Sequence, residues 1–124
     1  MPLSHRNYDT ARVLAPSGRL DHDNCEQFQA DLVPHLLACA GGGRALVLDL
    51  SGLEYVSSAG LRCLMIAAKQ AAAHNSRIVV ASMQPVVSEI FQISRFNLVL
   101  EVFATLPEAL ASISPQAAAA FDQG

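Results

Sequence analysis

The sequence predicts an α/β fold: one domain around a mostly parallel sheet. Three observations predict it. First, the apolar residues change period within one stretch. A continuous run at residues 45–50 gives way to Leu61, Leu64, Met65, Ala68 and Ala72, the spacing of one helix face. Second, strand-like and helix-like runs alternate along the chain, which implies parallel strands joined by right-handed crossovers. Third, 124 residues, 52% hydrophobic and 15% charged, suffice for a single core. The predicted order is β-β-α-β-α-β-α-β-α. This is a four- to five-stranded, mostly parallel sheet with an N-terminal antiparallel strand and about four helices. The domain is placed at residues 1–114, followed by an Ala-rich tail at 115–124 that is expected to fray.

Each element has its local reason. Residues 7–20 read as two short strands with a turn; Ala11–Ala15 is the clearer apolar piece, and Pro16-Ser17-Gly18 bends the chain beyond it. Asp23 or Asn24 caps a helix whose apolar face is Cys25, Phe28, Leu32, Leu36 and Cys39. Pro34 removes one hydrogen bond from it and predicts a kink or two pieces. Gly41-Gly42-Gly43 ends that helix. The strand at 45–50 and the helix from Leu61 come next, closing near His74-Asn75-Ser76. Arg77–Ser82 is another buried strand. Gln84-Pro85 opens a short helix expected to turn Val86, Ile90 and Ile93 inward. Leu98–Phe103 is the last strand. Thr105 and Glu108 have capping-box spacing and start a helix with Ala109, Leu110 and Ile113 facing in. The core is predicted to include Leu48, Leu50, Leu61, Leu64, Val79 and Ile90.

Composition excludes several function classes. The net charge is −3 and the eight basic residues are scattered, so no nucleic-acid footprint is present. No apolar run approaches the roughly 18 residues of a membrane span, so no membrane association is expected. The N-terminus lacks an apolar signal core, which predicts a cytoplasmic location. Three cysteines without CxxC spacing read as buried free thiols. The four histidines are dispersed, so no metal site is predicted. No G-x-S-x-G elbow or phosphate-binding lysine loop occurs, so no catalytic residues and no cofactor are assigned. Asp49, inside a strand, reads as a buried acid satisfied by backbone donors.

The candidate site is the strand-to-helix junction Ser57-Ser58-Ala59-Gly60. A hydroxyl before a helical run caps it, and the positive end of a helix favours negative charge. In a parallel sheet, such a junction lies at the carboxyl ends of the strands, where sites cluster. Along the helix beyond it, Ser58, Arg62, Ile66 and Lys69 line up away from the core stripe. An apolar residue between two cations on a solvent face suits a partner interface.

The runs Leu48-Asp-Leu-Ser-Gly-Leu53 and Val56-Ser-Ser-Ala-Gly-Leu61, with Gly18-Arg-Leu-Asp-His22, resemble the signature of STAS domains, specifically bacterial anti-sigma factor antagonists. The resemblance covers about residues 8–113. It implies a non-enzymatic switch. An anti-sigma factor that is also a serine kinase of GHKL type would bind the unphosphorylated protein and phosphorylate it at a helix-start serine, which releases it. A PP2C-type phosphatase would reset the system. On this chain the implied acceptor is Ser58, with Ser57 its rival. Asp21, Ser57, Ser58, Gly60, Arg62, Ile66 and Lys69 form the expected partner surface. The chain departs from the family twice. Ser57 stands where Asp is frequent, and Arg95-Phe96 stands where Gly-Leu is usual. The alternative function is a scaffold subunit, such as the STAS partner of a lipid-transport ATPase, whose serine is never modified. A nucleotide-binding protein is a more distant class.

Overall fold

The computed structural model describes residues 5–39, 41 and 44–122. Strands β1 (His5–Tyr8), β2 (Ala11–Leu14), β4 (Ala45–Asp49), β6 (Arg77–Ala81) and β7 (Glu101–Phe103) form one sheet in the order β1-β2-β4-β6-β7. β1 and β2 are antiparallel; every other pairing in it is parallel. β3 (Gly18–Leu20) and β5 (Leu53–Val56) form a separate two-stranded parallel ladder. Among the described residues five α-helices accompany these strands: α1 (Cys25–Ala38), α2 (Ser58–Ala73), α3 (Pro85–Ile93), α4 (Leu106–Ile113) and α5 (Pro115–Asp122).

The sheet is covered on both faces, which explains its near-continuous apolar strands. Side chains alternate across a strand, so Leu46, Leu48, Ile78 and Val80 join one core with residues of α1, α2 and α3. Val47, Val79 and Ala81 point the other way and pack with Ala109, Leu110 and Ala117 of α4 and α5. Leu48, Leu50, Leu64 and Val79 are buried as predicted.

Several expectations need correction. Leu61 and Ile90 are only half-buried, and Met65, assigned to the core stripe, is 36% exposed. The buried face of α2 is instead Gly60, Cys63, Leu64, Ala67 and Ala71. On α3 the inward residues are Val87 and Phe91, while Val86 and Ile93 are exposed. Adjacent apolar pairs there, Val86-Val87 and Ile90-Phe91, offer two stripes, and the one carrying the larger ring wins the core. Pro34 breaks no helix, since α1 runs through it as one element. Asn24 is the cap residue of α1 but makes no capping bond. Gly41 takes a left-handed φ of 87°; Gly42 and Gly43 lie outside the described residues. The last strand shortens to three residues, preceded by a 3-10 turn at Phe96–Leu98. Most of the supposed fraying tail is α5. It buries Ala117 and sets Phe121 edge-on to Tyr8, ring centroids 5.5 Å apart.

Candidate functional site

The site is built where β3 and β5 end. Leu20 pairs with Val56, so Asp21 and Ser57 leave two neighbouring parallel strands side by side. The Ser57 N–H donates to the Leu20 carbonyl at 2.9 Å, which extends the ladder by one bond into the start of α2. Neither β5 nor this ladder was expected from the sequence. The available signal was the spacing of Leu53 and Val56, both buried, around exposed Glu54 and Tyr55.

Ser57, not Ser58, is the N-cap of α2. Its backbone is extended, and its Oγ accepts from the Gly60 N–H at 3.2 Å. Its carbonyl accepts from the Leu61 N–H at 2.9 Å. Ser58 is then the first helical residue. It is exposed, and its hydroxyl bonds to none of the described residues. With the amides of Gly60 and Leu61 engaged, those left at the helix start are of Ser58 and Ala59. Gly60 is buried against the β3 end. A Cβ there would collide with the Leu20 carbonyl oxygen and sit 2.9 Å from Val56 Cγ1. A glycine is therefore required for α2 to approach β3 this closely.

Asp21 is held in a turn of its own. Its carboxylate accepts from the Asp23 N–H at 3.1 Å and lies 3.7 Å from Arg19 Nε. Asn24 fixes the same turn, accepting from the Asp21 N–H at 2.9 Å and donating to the Arg19 carbonyl at 2.6 Å. The Arg19 guanidinium sits 4.6 Å from the centroid of the Tyr55 ring, a cation–π contact across the ladder. Arg19 and Tyr55 thus flank the serines, although no sequence pattern singles them out. Asp49 lies outside this group. It is half-buried, and its carboxylate accepts from the Ser51 N–H at 3.1 Å.

Arg62, Ile66 and Lys69 are exposed on α2, and Ile66 is 36% exposed. At about 100° per residue, Met65 lies on the same side of the helix, about 20° beyond Ser58 from the other three. The exposed stripe therefore carries two apolar residues between its cations. Among the described residues, no group of three or more His, Cys, Asp or Glu is placed to hold a metal ion, and no helix is long and apolar enough to cross a membrane.

Comparison with known proteins agrees with this architecture. The family model described as "Mlab, STAS domain" matches residues 5–101. A protein of Bordetella bronchiseptica, provisionally named anti-sigma factor antagonist BtrV, is 35% identical over 96 residues, which span 77% of this chain and 80% of that protein. A crystal structure from Thermotoga maritima, likewise provisionally described as an anti-sigma factor antagonist, superposes with a TM-score of 0.79 at 18% identity, covering 90% of this chain and 93% of that one. The phosphorylated form of the Bacillus cell fate determinant SpoIIAA superposes with a TM-score of 0.64 at 19% identity, covering 90% of this chain and 99% of that one. With the family model spanning most of the chain and a relative matched along most of both lengths, the chain belongs to the STAS domain family.

Proposed function

We propose that this protein is an anti-sigma factor antagonist switched by phosphorylation of Ser58. One observation carries the proposal. Of two adjacent serines at the helix start, Ser57 is tied into the cap while the Ser58 hydroxyl stands exposed and uncommitted. The name of the Bordetella relative supports the antagonist role.

The unmodified protein docks on an anti-sigma factor that is also a GHKL-type serine kinase. It uses the Asp21 turn, Ser57, Ser58 and the Arg62, Ile66, Lys69 stripe of α2; Gly60 is buried beneath that face and seats α2 against β3. Within the fold, a phosphate on Ser58 is well tolerated: it meets the amides at the positive end of a 16-residue helix. The penalty falls on the complex. A phosphoserine brings about −1.5 to −2 charges at pH 7. They must be desolvated against a surface fitted to a neutral hydroxyl, beside exposed Glu54. A 100- to 1,000-fold loss of affinity corresponds to about 3–4 kcal/mol. One mismatched contact in a buried interface supplies that much. A PP2C-type phosphatase restores the binding form. The protein itself acts as a binding module and not as an enzyme.

The test is incubation with the cognate kinase and MgATP, followed by mapping of the phosphorylated residue. Phosphate on Ser58 is expected. Failure of both Ser57 and Ser58 to accept phosphate would replace this function with that of a constitutive scaffold subunit.

A further inference from the structure

Arg12 of β2 ties three elements together. Its Nη1 lies 3.2 Å from His35 Nδ1 on α1, and its Nε donates to Asn7 Oδ1 on β1 at 3.1 Å. The His5 ring of β1 stands against the His35 ring, centroids 5.0 Å apart. Asp31 lies one turn before His35 on α1. Its Oδ1 accepts from Gln27 Nε2 at 2.9 Å, and its Oδ2 is buried without a hydrogen-bond partner among the described residues.

A guanidinium can only donate, so the bond to His35 requires a bare Nδ1. The ring that makes it is neutral and carries its proton on Nε2. A proton added at Nδ1 removes the acceptor and sets a second cation against Arg12, whose own charge is permanent. Burial first, and then the charges of Arg12 and His5, hold His35 below the ordinary histidine range, with Asp31 opposing them.

We propose that the Arg12–His35 bond is an acid-released latch that holds α1 and β1 on β2. While the ring is neutral the latch is closed. As the pH falls, the unfolded chain takes up a proton at this position more readily than the folded one. The stability the latch contributes is therefore complete above about pH 6.5 and is lost below it. α1 and β1 loosen first, because Arg12 is their shared tie and β1 is an edge strand, whereas β4 and β6 have strands on both sides. The latch does not depend on phosphorylation of Ser58.

The test compares the full-length wild type with His35→Gln between about pH 8 and about pH 5. The amide oxygen of that variant offers Arg12 an acceptor that does not titrate. Nitrogen-15 spectra of the histidine rings, urea denaturation and amide hydrogen exchange are read on both proteins. Expected at the upper pH is a wild-type His35 ring protonated on Nε2 alone, which then titrates below the ordinary histidine range. The wild-type urea midpoint should fall further on acidification than that of His35→Gln. Exchange protection in the wild type should fall more in β1 and α1 than in β4 and β6. A ring protonated on Nδ1 at the upper pH, a titration at or above the ordinary range, or equal loss of midpoint in the two proteins overturns the proposal. So does protection lost evenly across the sheet. The wild-type ring spectra and exchange decide it if the variant fails to fold.

Discussion

The Ser57 hydroxyl oxygen accepts the Gly60 N–H at 3.2 Å, and this bond separates the roles of two neighbouring serines. Ser57 supports the helix; the Ser58 hydroxyl is left exposed, where the proposed partner would meet it. Ser57→Ala should therefore cost about 0.5–2 kcal/mol of stability, the usual worth of a cap. Ser58→Ala should change stability by less than about 0.5 kcal/mol, as for an ordinary surface position. Urea denaturation of both variants checks this, and a larger loss at Ser58 would move the cap to that residue.

Gly60→Ala is expected to be disruptive although the change is one methyl group. The added carbon meets the backbone carbonyl of Leu20, which cannot rotate away as a side chain would. The ladder end and α2 must separate, at about 1–3 kcal/mol. A melting curve unchanged by this substitution would contradict the close packing of α2 on β3.

Leu64 and Ile66 lie two positions apart on α2 and should respond in opposite ways. Leu64 is 1% exposed, so Leu64→Ala should cost about 2–5 kcal/mol through lost burial and a cavity. Ile66→Asp should leave stability nearly unchanged and weaken kinase binding. Denaturation curves and a binding titration on the same two variants separate core from interface.

Arg95 occupies a left-handed conformation, φ 58°, where the family resemblance leads one to expect glycine. Phe96 behind it is buried and packs edge-on to Phe91, ring centroids 5.2 Å apart. The turn is thus held by the aromatic pair despite the unfavourable backbone. Arg95→Gly should be more stable than Arg95→Val by about 1–2 kcal/mol, because a β-branched residue fits positive φ poorly. Equal chemical denaturation midpoints for the two variants would argue against the turn.

Much of this arrangement was legible in the sequence, and the misses have physical causes. The period switch between residues 45 and 72 identified β4 and α2 because a short continuous apolar run gives way to sustained helical spacing, although the exact buried face of α2 was not fixed by it. α3 was rotated by one residue because apolar residues occur in adjacent pairs, so periodicity alone does not choose between them. α5 was missed because its alanines carry little amphipathic signal; it is held by the surface that β1 and α4 present. β5 escaped notice because four residues after a glycine turn fall below what a periodic pattern resolves. At the site, the serine pair was located but the cap was ambiguous by one residue. The bond from the Gly60 N–H to Ser57 Oγ shows which hydroxyl caps the helix. Arg19 and Tyr55 come together through strand pairing, which nothing in their local sequence reveals.

The central claim is that charge on Ser58 governs binding. The most direct measurement is calorimetric titration of the cognate kinase with three forms of the protein: unmodified, phosphorylated and Ser58→Ala, each shown by circular dichroism to be folded. Tight binding is predicted for the unmodified and Ser58→Ala forms. Binding of the phosphorylated form should be weaker by about 100-fold or more, or about 3 kcal/mol. Equal affinity for the phosphorylated and unmodified forms would contradict the claim.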